Sequence, residues 1–525
     1  MVEDLRSFLR LLEERNELTR IRKEVDPRYI SALFAKATKG VFIEHVRGYD
    51  SAVAAGILRE RKYLALGFGV SDRAMGKKLL QAVENPIQPK IVANGPVKEV
   101  ILRGDEADLT KFPIPLLHEK DGAPYITASL LTAKDPEYGR NTGVYRMMYR
   151  NRDETSINLV SIADLRVFYQ KRLDRGEPLE VAMAIGTHPV DLLAAAYGAP
   201  PGVDEWGISG GLRGEPVELV RCETVDLEVP AHAEIVLEGE LLPVGWTMDE
   251  GRFGEFTSLY GTLHYNPIIR IKAITHRRNP IFQVITHPRE GGEVPMSVCS
   301  EAAALRLLRD ARIDVREVHS SPLGFIAAIR KRPGEGKNAL LALMSMDLGK
   351  LTIVTDDDVD IYNMEEVERA LRFRVRPDKD VIIISGTRGK PLDSSLGVIP
   401  GAVLALESAI GIDATIPEGV SKLPYERLRY TYLDEVKLED YLAEGKRSPK
   451  MIEDVSAKEV EELSAKVLDM LTARPLYFYD LLTGLRDVEY RKILLAFGRL
   501  RAKGVLTRDE AGRYLPKDTS TRVES

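Results

Sequence analysis

The first apolar residues, Leu5, Phe8, Leu9 and Leu12, recur three and four positions apart among charged neighbours. That spacing places them on one face of an amphipathic helix. A second helical pattern runs from Ala74 to Val83, and segments such as KYLALGFGV and VKEVILRG read as short strands beside it. Residues 1–110 are therefore expected to form an α/β domain. From about Phe112 to Cys299 the pattern changes to runs rich in Val, Ile, Thr and Tyr, among them ITASLLTA, TGVYRMMYR, AEIVLEGEL, PIIRIKAITH and IFQVITH. Alternation broken by Gly, Pro and Asn predicts an antiparallel sheet or split β-barrel over 111–300. The helical stretches LRVFYQKRLDRG and DLLAAAYG interrupt it.

Strands and helices alternate again from Glu301, with FIAAIRKR, KLTIVTDDD, MEEVERALRF and DVIIISG in turn, so 301–450 reads as a second α/β domain. Residues 451–525 stand apart. SAKEVEELSAKVLDML is an amphipathic helix, YDLLTG a short one, Val488 to Ala502 a third, and VLTRDEAGRYLP a strand–turn–strand. That order resembles a winged helix-turn-helix module with an expected core of Val467, Leu468, Leu471, Leu494, Phe497 and Leu500.

Composition narrows the functional classes. At 525 residues the chain exceeds what one core accommodates, and several domains are expected. Basic and acidic residues nearly balance, 74 against 80, which gives no overall pull toward nucleic acid or a membrane surface. The last block carries thirteen of each sign, so an appendage that docks protein or stabilises the fold is favoured over a nucleic-acid reader. Two cysteines, Cys222 and Cys299, are too few for a disulfide framework or a cysteine zinc site, and a reducing, cytoplasmic setting is expected. No stretch has the uninterrupted apolar character of a signal peptide or membrane span.

Several familiar motifs fail on one or two residues. A phosphate-cradling loop around Gly336 has Lys331 where it needs glycine, and a dinucleotide fingerprint at GFGVSDRAMG has Asp72 in place of its third glycine. The acidic run from Asp356 imitates a calcium loop, but Ile361 and Val367 occupy the glycine and closing-glutamate positions. Chemistry gathers instead in the β-rich block. Asn141-Thr-Gly-Val-Tyr-Arg146 places an amide and a guanidinium on one strand. Asp204-Glu205-Trp206 opens a glycine-rich turn, DLEVPAHAEIVLEG starts at Asp226, and Glu250-Gly-Arg-Phe-Gly-Glu255 brackets two glycines with acids. Two carboxylates near an arginine can have their protonation driven apart, which general acid chemistry requires.

Taken in order, these stretches and IVTDDDVD from Ile353 resemble the UbiD family of reversible decarboxylases over about 440 residues. The final module lies outside the resemblance. The family implies an N-terminal α/β domain, a split β-barrel that binds the cofactor and a C-terminal α/β domain used in dimerisation. It also implies prenylated FMN supplied by a flavin prenyltransferase, with a divalent metal, usually Mn2+, and K+ at its phosphate. The reaction implied is removal of CO2 from an α,β-unsaturated or aromatic carboxylic acid, in which a glutamic acid returns the proton. Substrates in the family include hydroxybenzoates, cinnamates and a phosphorylated unsaturated acid of isoprenoid synthesis.

By position, Arg146 would bind the substrate carboxylate, Glu255 would be the acid nearest the reacting carbon, and Glu250 would order Arg146. Asn141, Gly143, Val144, Tyr145, Arg146 and Glu205 fall in the cofactor-binding stretches, with Asn141 and Glu205 as metal ligands. Two positions depart from the family: Ile162 stands where a histidine ligand is expected, and Ala409 where a phosphate-contacting lysine is expected. Asn158, Ser161 and Asp164 offer oxygen nearby. Arg150, Arg152 and His287 are candidates for contacting a polar substrate group. Two readings stay open at this point: an active decarboxylase, and a non-catalytic or differently liganded subunit of a larger assembly.

Overall fold

The computed structural model describes residues 2–159, 163–290, 294–346, 350–389, 392–396, 405–421, 423–442 and 454–517. It divides into two compact units, Met1–Pro417 and Glu418–Ser525.

The larger unit begins with the expected helix, Leu5–Glu14, which buries Leu5, Phe8, Leu9 and Leu12. Asp4 and Ser7 close a reciprocal capping box at its start. Strands Leu18–Ile21, Gly40–Ile43 and Ala52–Ala55 form a sheet whose fourth member, Ile281–Val284, arrives from far along the chain. The sequence reading placed IFQVITH in the barrel. All four of its residues are buried, as a strand covered on both faces requires, and that uniform burial replaces the alternation of a barrel strand. KYLALGF is likewise a helix, Arg61–Phe68, not a strand, and it ends at Gly69 in the left-handed conformation that closes helices.

Conversely, Val100–Arg103 leaves the N-terminal block and pairs with Ile268–His276. From there the central sheet runs through Ile235–Leu241, Leu179–Ile185 and Tyr125–Asp135 to Gly139–Met148. Glu154–Ser156 pairs with Ile268–His276, and a bridge from Tyr149 to Thr155 brings the sheet's ends together as the expected split barrel. Curvature comes partly from bulges at Glu238/Gly239 and Ile126/Ser129. Gly239 is required there, because a Cβ would meet the Arg270 carbonyl oxygen at 2.2 Å.

Helices Pro189–Ala196, Glu205–Arg213, Met75–Glu84 and Val294–Asp310 pack into one apolar core beside the barrel. The C-terminal part of this unit is a five-stranded sheet ordered Val315–Ser321, Gly324–Ile329, Leu351–Asp356, Ala405–Asp413, Val381–Gly389. Glu335–Met344 covers one face through Ala339, Leu340 and Leu343, and Met364–Arg374 covers the other through Val367 and Ala370.

The smaller unit holds helices Ala457–Ala473, Phe478–Gly484 and Tyr490–Ala502, then strands Leu506–Arg508 and Tyr514–Pro516. Val467, Leu471, Phe497 and Leu500 are in its core, but Leu494 is 44% exposed and Ile493 is buried in its place. Arg499 and Lys492 are paired with Glu461 and Glu459 of the first of these helices. No helix among the described residues is long and apolar enough to cross a membrane.

Candidate active site

A cavity of about 580 Å³ opens at the barrel wall. Strand Gly139–Met148 supplies Asn141, Thr142, Gly143, Val144, Tyr145 and Arg146 to its lining. A Cβ at position 143 would lie 2.6 Å from the Tyr145 ring, so the strand presents bare backbone there. Leu192, Ala195, Ala196 and Ala199 form an apolar wall, completed by Ile285 and Met296.

At one end, Arg146 lies between the two acids of the Glu250–Glu255 stretch. Its Nη1 donates to Glu255 Oε1 at 2.5 Å, and its Nε and Nη2 donate to the Glu250 oxygens at 3.2 and 3.4 Å. The guanidinium stacks 4.4 Å from the Phe253 ring centroid. Burial works against the charge on Arg146, yet the flanking carboxylates hold its pKa above the ordinary value. Glu250 is 1% exposed. Burial alone would raise its pKa, but Arg146 and His264 outweigh that and bring it down to about 2.

Glu250 and Glu255 are held by a hairpin. Strand Met248–Glu250 pairs with His264–Asn266, which sets His264 directly opposite Glu250. The loop between them bears Phe253 and Glu255 and is fastened by Glu255 N–H to Leu259 O, Gly261 N–H to Phe253 O and Gly254 N–H to Asp121. Asn266 donates to Glu250 Oε2 at 2.8 Å and Asn158 at 3.2 Å. Sequence reasoning missed His264 and Asn266. The signal was there as two polar residues two apart, which share one face of a strand, but only the hairpin register shows which residue they face.

At the other end, Glu205 begins helix Glu205–Arg213 and accepts from the Thr142 N–H at 2.8 Å and from Asn141 Nδ2 at 3.2 Å. Burial pushes its carboxyl up to about 8, and the charges of Asp204 and Asp164 add to the rise. Asn141, Asp164 and Glu205 thus bring oxygen-bearing side chains to the same end of the cavity. No group of three His, Cys, Asp or Glu side chains suited to a metal occurs among the described residues. Ile162 and Ser161 lie outside the described residues. Asn158 lines the cavity but points its amide at Glu250. Ala409 is buried in the apolar core of the C-terminal sheet and is not on the cavity wall.

His287 also lines the cavity, and burial, with the charges of Arg146 and His118, lowers its pKa to about 4, so the imidazole is neutral. Arg150 lies beside Glu154, Arg152 donates to the Asp105 carbonyl, and neither lines the cavity. Glu290, fully buried, accepts from the Gly56, Leu58 and Thr286 N–H groups and anchors the N-terminal domain to the cavity rim.

Comparison with known proteins identifies the domains that carry this cavity. Residues 9–83, 90–290 and 294–414 match the N-terminal, Rift-related and C-terminal domains of 3-octaprenyl-4-hydroxybenzoate carboxy-lyase, UbiD. The anhydromevalonate phosphate decarboxylase of Methanothermobacter thermautotrophicus is 31% identical over 72% of this chain and 88% of its own. The phenolic acid decarboxylase of Sedimentibacter hydroxybenzoicus is 30% identical over 79% and 92%. Among solved structures, the UbiD-class enzyme HmfF of Pelotomaculum thermopropionicum with FMN superposes with a TM-score of 0.78. It is 38% identical over 84% of this chain and all of its own. An evolved dimeric form of the same enzyme, solved with prFMN, gives a TM-score of 0.74 at 37% identity over the same shares of the two chains. With three consecutive domains matched in order, this chain belongs to the UbiD family.

Proposed function

We propose that the protein is a carboxy-lyase that removes CO2 from an α,β-unsaturated or aromatic carboxylic acid with prenylated FMN. The observation that carries this is one arginine clamped between two acids at the wall of a cavity large enough for a cofactor and a small acid.

The lining fits such a group. Small apolar side chains, Ala195, Ala196 and Ala199, leave a flat wall for a ring system, and bare backbone at Gly143 permits close approach. Asn141 and Glu205, with Asp164 near, would supply hard oxygen donors to a divalent cation such as Mn2+, and to K+, which would neutralise the cofactor's phosphate charge. When bound, the modified flavin supplies the electron sink for the breaking carbon–carbon bond.

The chain's own residues do the rest. Arg146 binds the substrate carboxylate with its paired N–H donors and fixes the bond to be broken against the apolar wall. Glu250, ionised and buried, holds the guanidinium plane in place. Once CO2 has left, Glu255 delivers a proton to the carbon that carried it, and the cavity wall keeps bulk water from competing. Catalysis by Glu255 requires it to leave its ion pair with Arg146 as the substrate carboxylate enters and to take up a proton from solvent, the proton it then passes on.

The experiment is CO2 release from a panel of aromatic and unsaturated acids by protein co-expressed with a flavin prenyltransferase. Release dependent on bound flavin supports the proposal. A flavin-loaded protein inert toward the whole panel favours a non-catalytic subunit instead.

A further inference from the structure

We propose that His264 is a positioning residue, held as an imidazolium, whose positive charge keeps Arg146 available for a substrate carboxylate. The inference rests on the reading of Arg146 as the carboxylate-binding group. His264 stands across the hairpin from Glu250, in register, at the base of the loop that carries Glu255.

The donors decide its state. Nδ1 lies 3.0 Å from the Thr262 carbonyl oxygen, which only accepts, so Nδ1 carries a proton. Nε2 lies 2.5 Å from Glu250 Oε2, and that carboxylate already accepts from the Arg146 guanidinium at both oxygens and from Asn266, as an ionised group does, so Nε2 carries a proton too. An imidazole with both nitrogens protonated is cationic. The alternative, a neutral ring accepting at Nε2 from Asn158 Nδ2 at 3.1 Å, would press a lone pair against a carboxylate oxygen 2.5 Å away. Asn158 has Glu250 Oε2 itself within reach at 3.2 Å, so it needs no bond to the ring.

The consequence is a charge count. Glu250 and Glu255 face Arg146, and with His264 as a cation the four groups sum to zero. Without it they sum to one negative charge, and an incoming carboxylate is repelled. The other groups around the cluster do not restore the balance. His287 is neutral, Tyr125 is a buried phenol, and His118 is paired with Asp121 behind Phe253. His264 touches neither cavity nor substrate, so its effect runs through Glu250 and Arg146.

Two measurements on the full chain test this. Imidazole 15N NMR, with the His264 signal assigned by its loss in His264→Asn, should show both nitrogens protonated at neutral pH. A single neutral tautomer there overturns the proposal whether or not the enzyme turns over. In flavin-loaded enzyme, His264→Gln, which keeps a donor without charge, should raise KM roughly tenfold while kcat changes far less. His264→Lys, which restores a positive charge, should recover part of the affinity. An unchanged KM in His264→Gln overturns the proposal. If Arg146→Ala also leaves KM unchanged while NMR shows the imidazolium, the functional reading of Arg146 has failed, and the assigned charge of His264 stands.

Discussion

Glu250 is the residue on which the site turns, and its ionisation can be read as stability. Its folded pKa, about 2, lies below the ordinary 4.5. The ionised form therefore contributes stability that is complete above about pH 4.5 and is lost as pH falls toward 2. Comparing urea unfolding of wild type and Glu250→Gln at pH 7 and at successively lower pH should show a difference on the order of 3 kcal/mol that narrows below pH 4.5. Arg146→Ala should abolish turnover through lost substrate binding, with KM for any residual activity raised at least tenfold. Arg146, Glu250 and Glu255 could be named from the sequence because they fall in stretches that resemble the family's motifs, whereas the spacing of two acids alone would fit a solvated turn; the structure brings the three side chains together. His264 and Asn266 could not, because what gives them meaning is a cross-strand register fixed by the turn between.

The same distinction holds for whole elements. The first helix declared itself through its period, and the structure adds the cap. Ile281–Val284 did not, since a short apolar run reads alike in a barrel or a buried parallel sheet, and its partner Ala52–Ala55 is remote in sequence. KYLALGF misled because its Leu–Ala–Leu run masks the helical period, and the deciding mark was the glycine after it. In the final module, Leu494 and Ile493 differ by one position, enough to turn a side chain about 100° around a helix. Gly239 offers an element-scale test. Gly239→Ala should force the bulged strand off the Arg270 carbonyl and lower stability by about 1–3 kcal/mol, measured by denaturant unfolding. A chain ending at Pro417 should keep the secondary structure of the larger unit and a cooperative melt by circular dichroism, because that unit has its own core.

For the molecule as a whole, the C-terminal sheet leaves Ile383 69% and Leu406 74% exposed on its outer hairpin. We read this face as one that a second copy covers, and light scattering should return a mass of at least twice 58.6 kDa. Charging the patch with Ile383→Lys and Leu406→Glu should shift that mass toward the monomer. The chemistry proposed for the cavity needs Glu255 to return the proton in a reaction oriented by Arg146. The most direct test compares CO2 release by flavin-loaded wild type and Glu255→Gln on the same acid, with flavin content measured in both. If Glu255 has that role, flavin is equal and turnover is lower by roughly 10²-fold or more in the variant, which keeps shape and hydrogen bonding but cannot cycle a proton. Near-normal turnover in a fully flavin-loaded Glu255→Gln protein would contradict it.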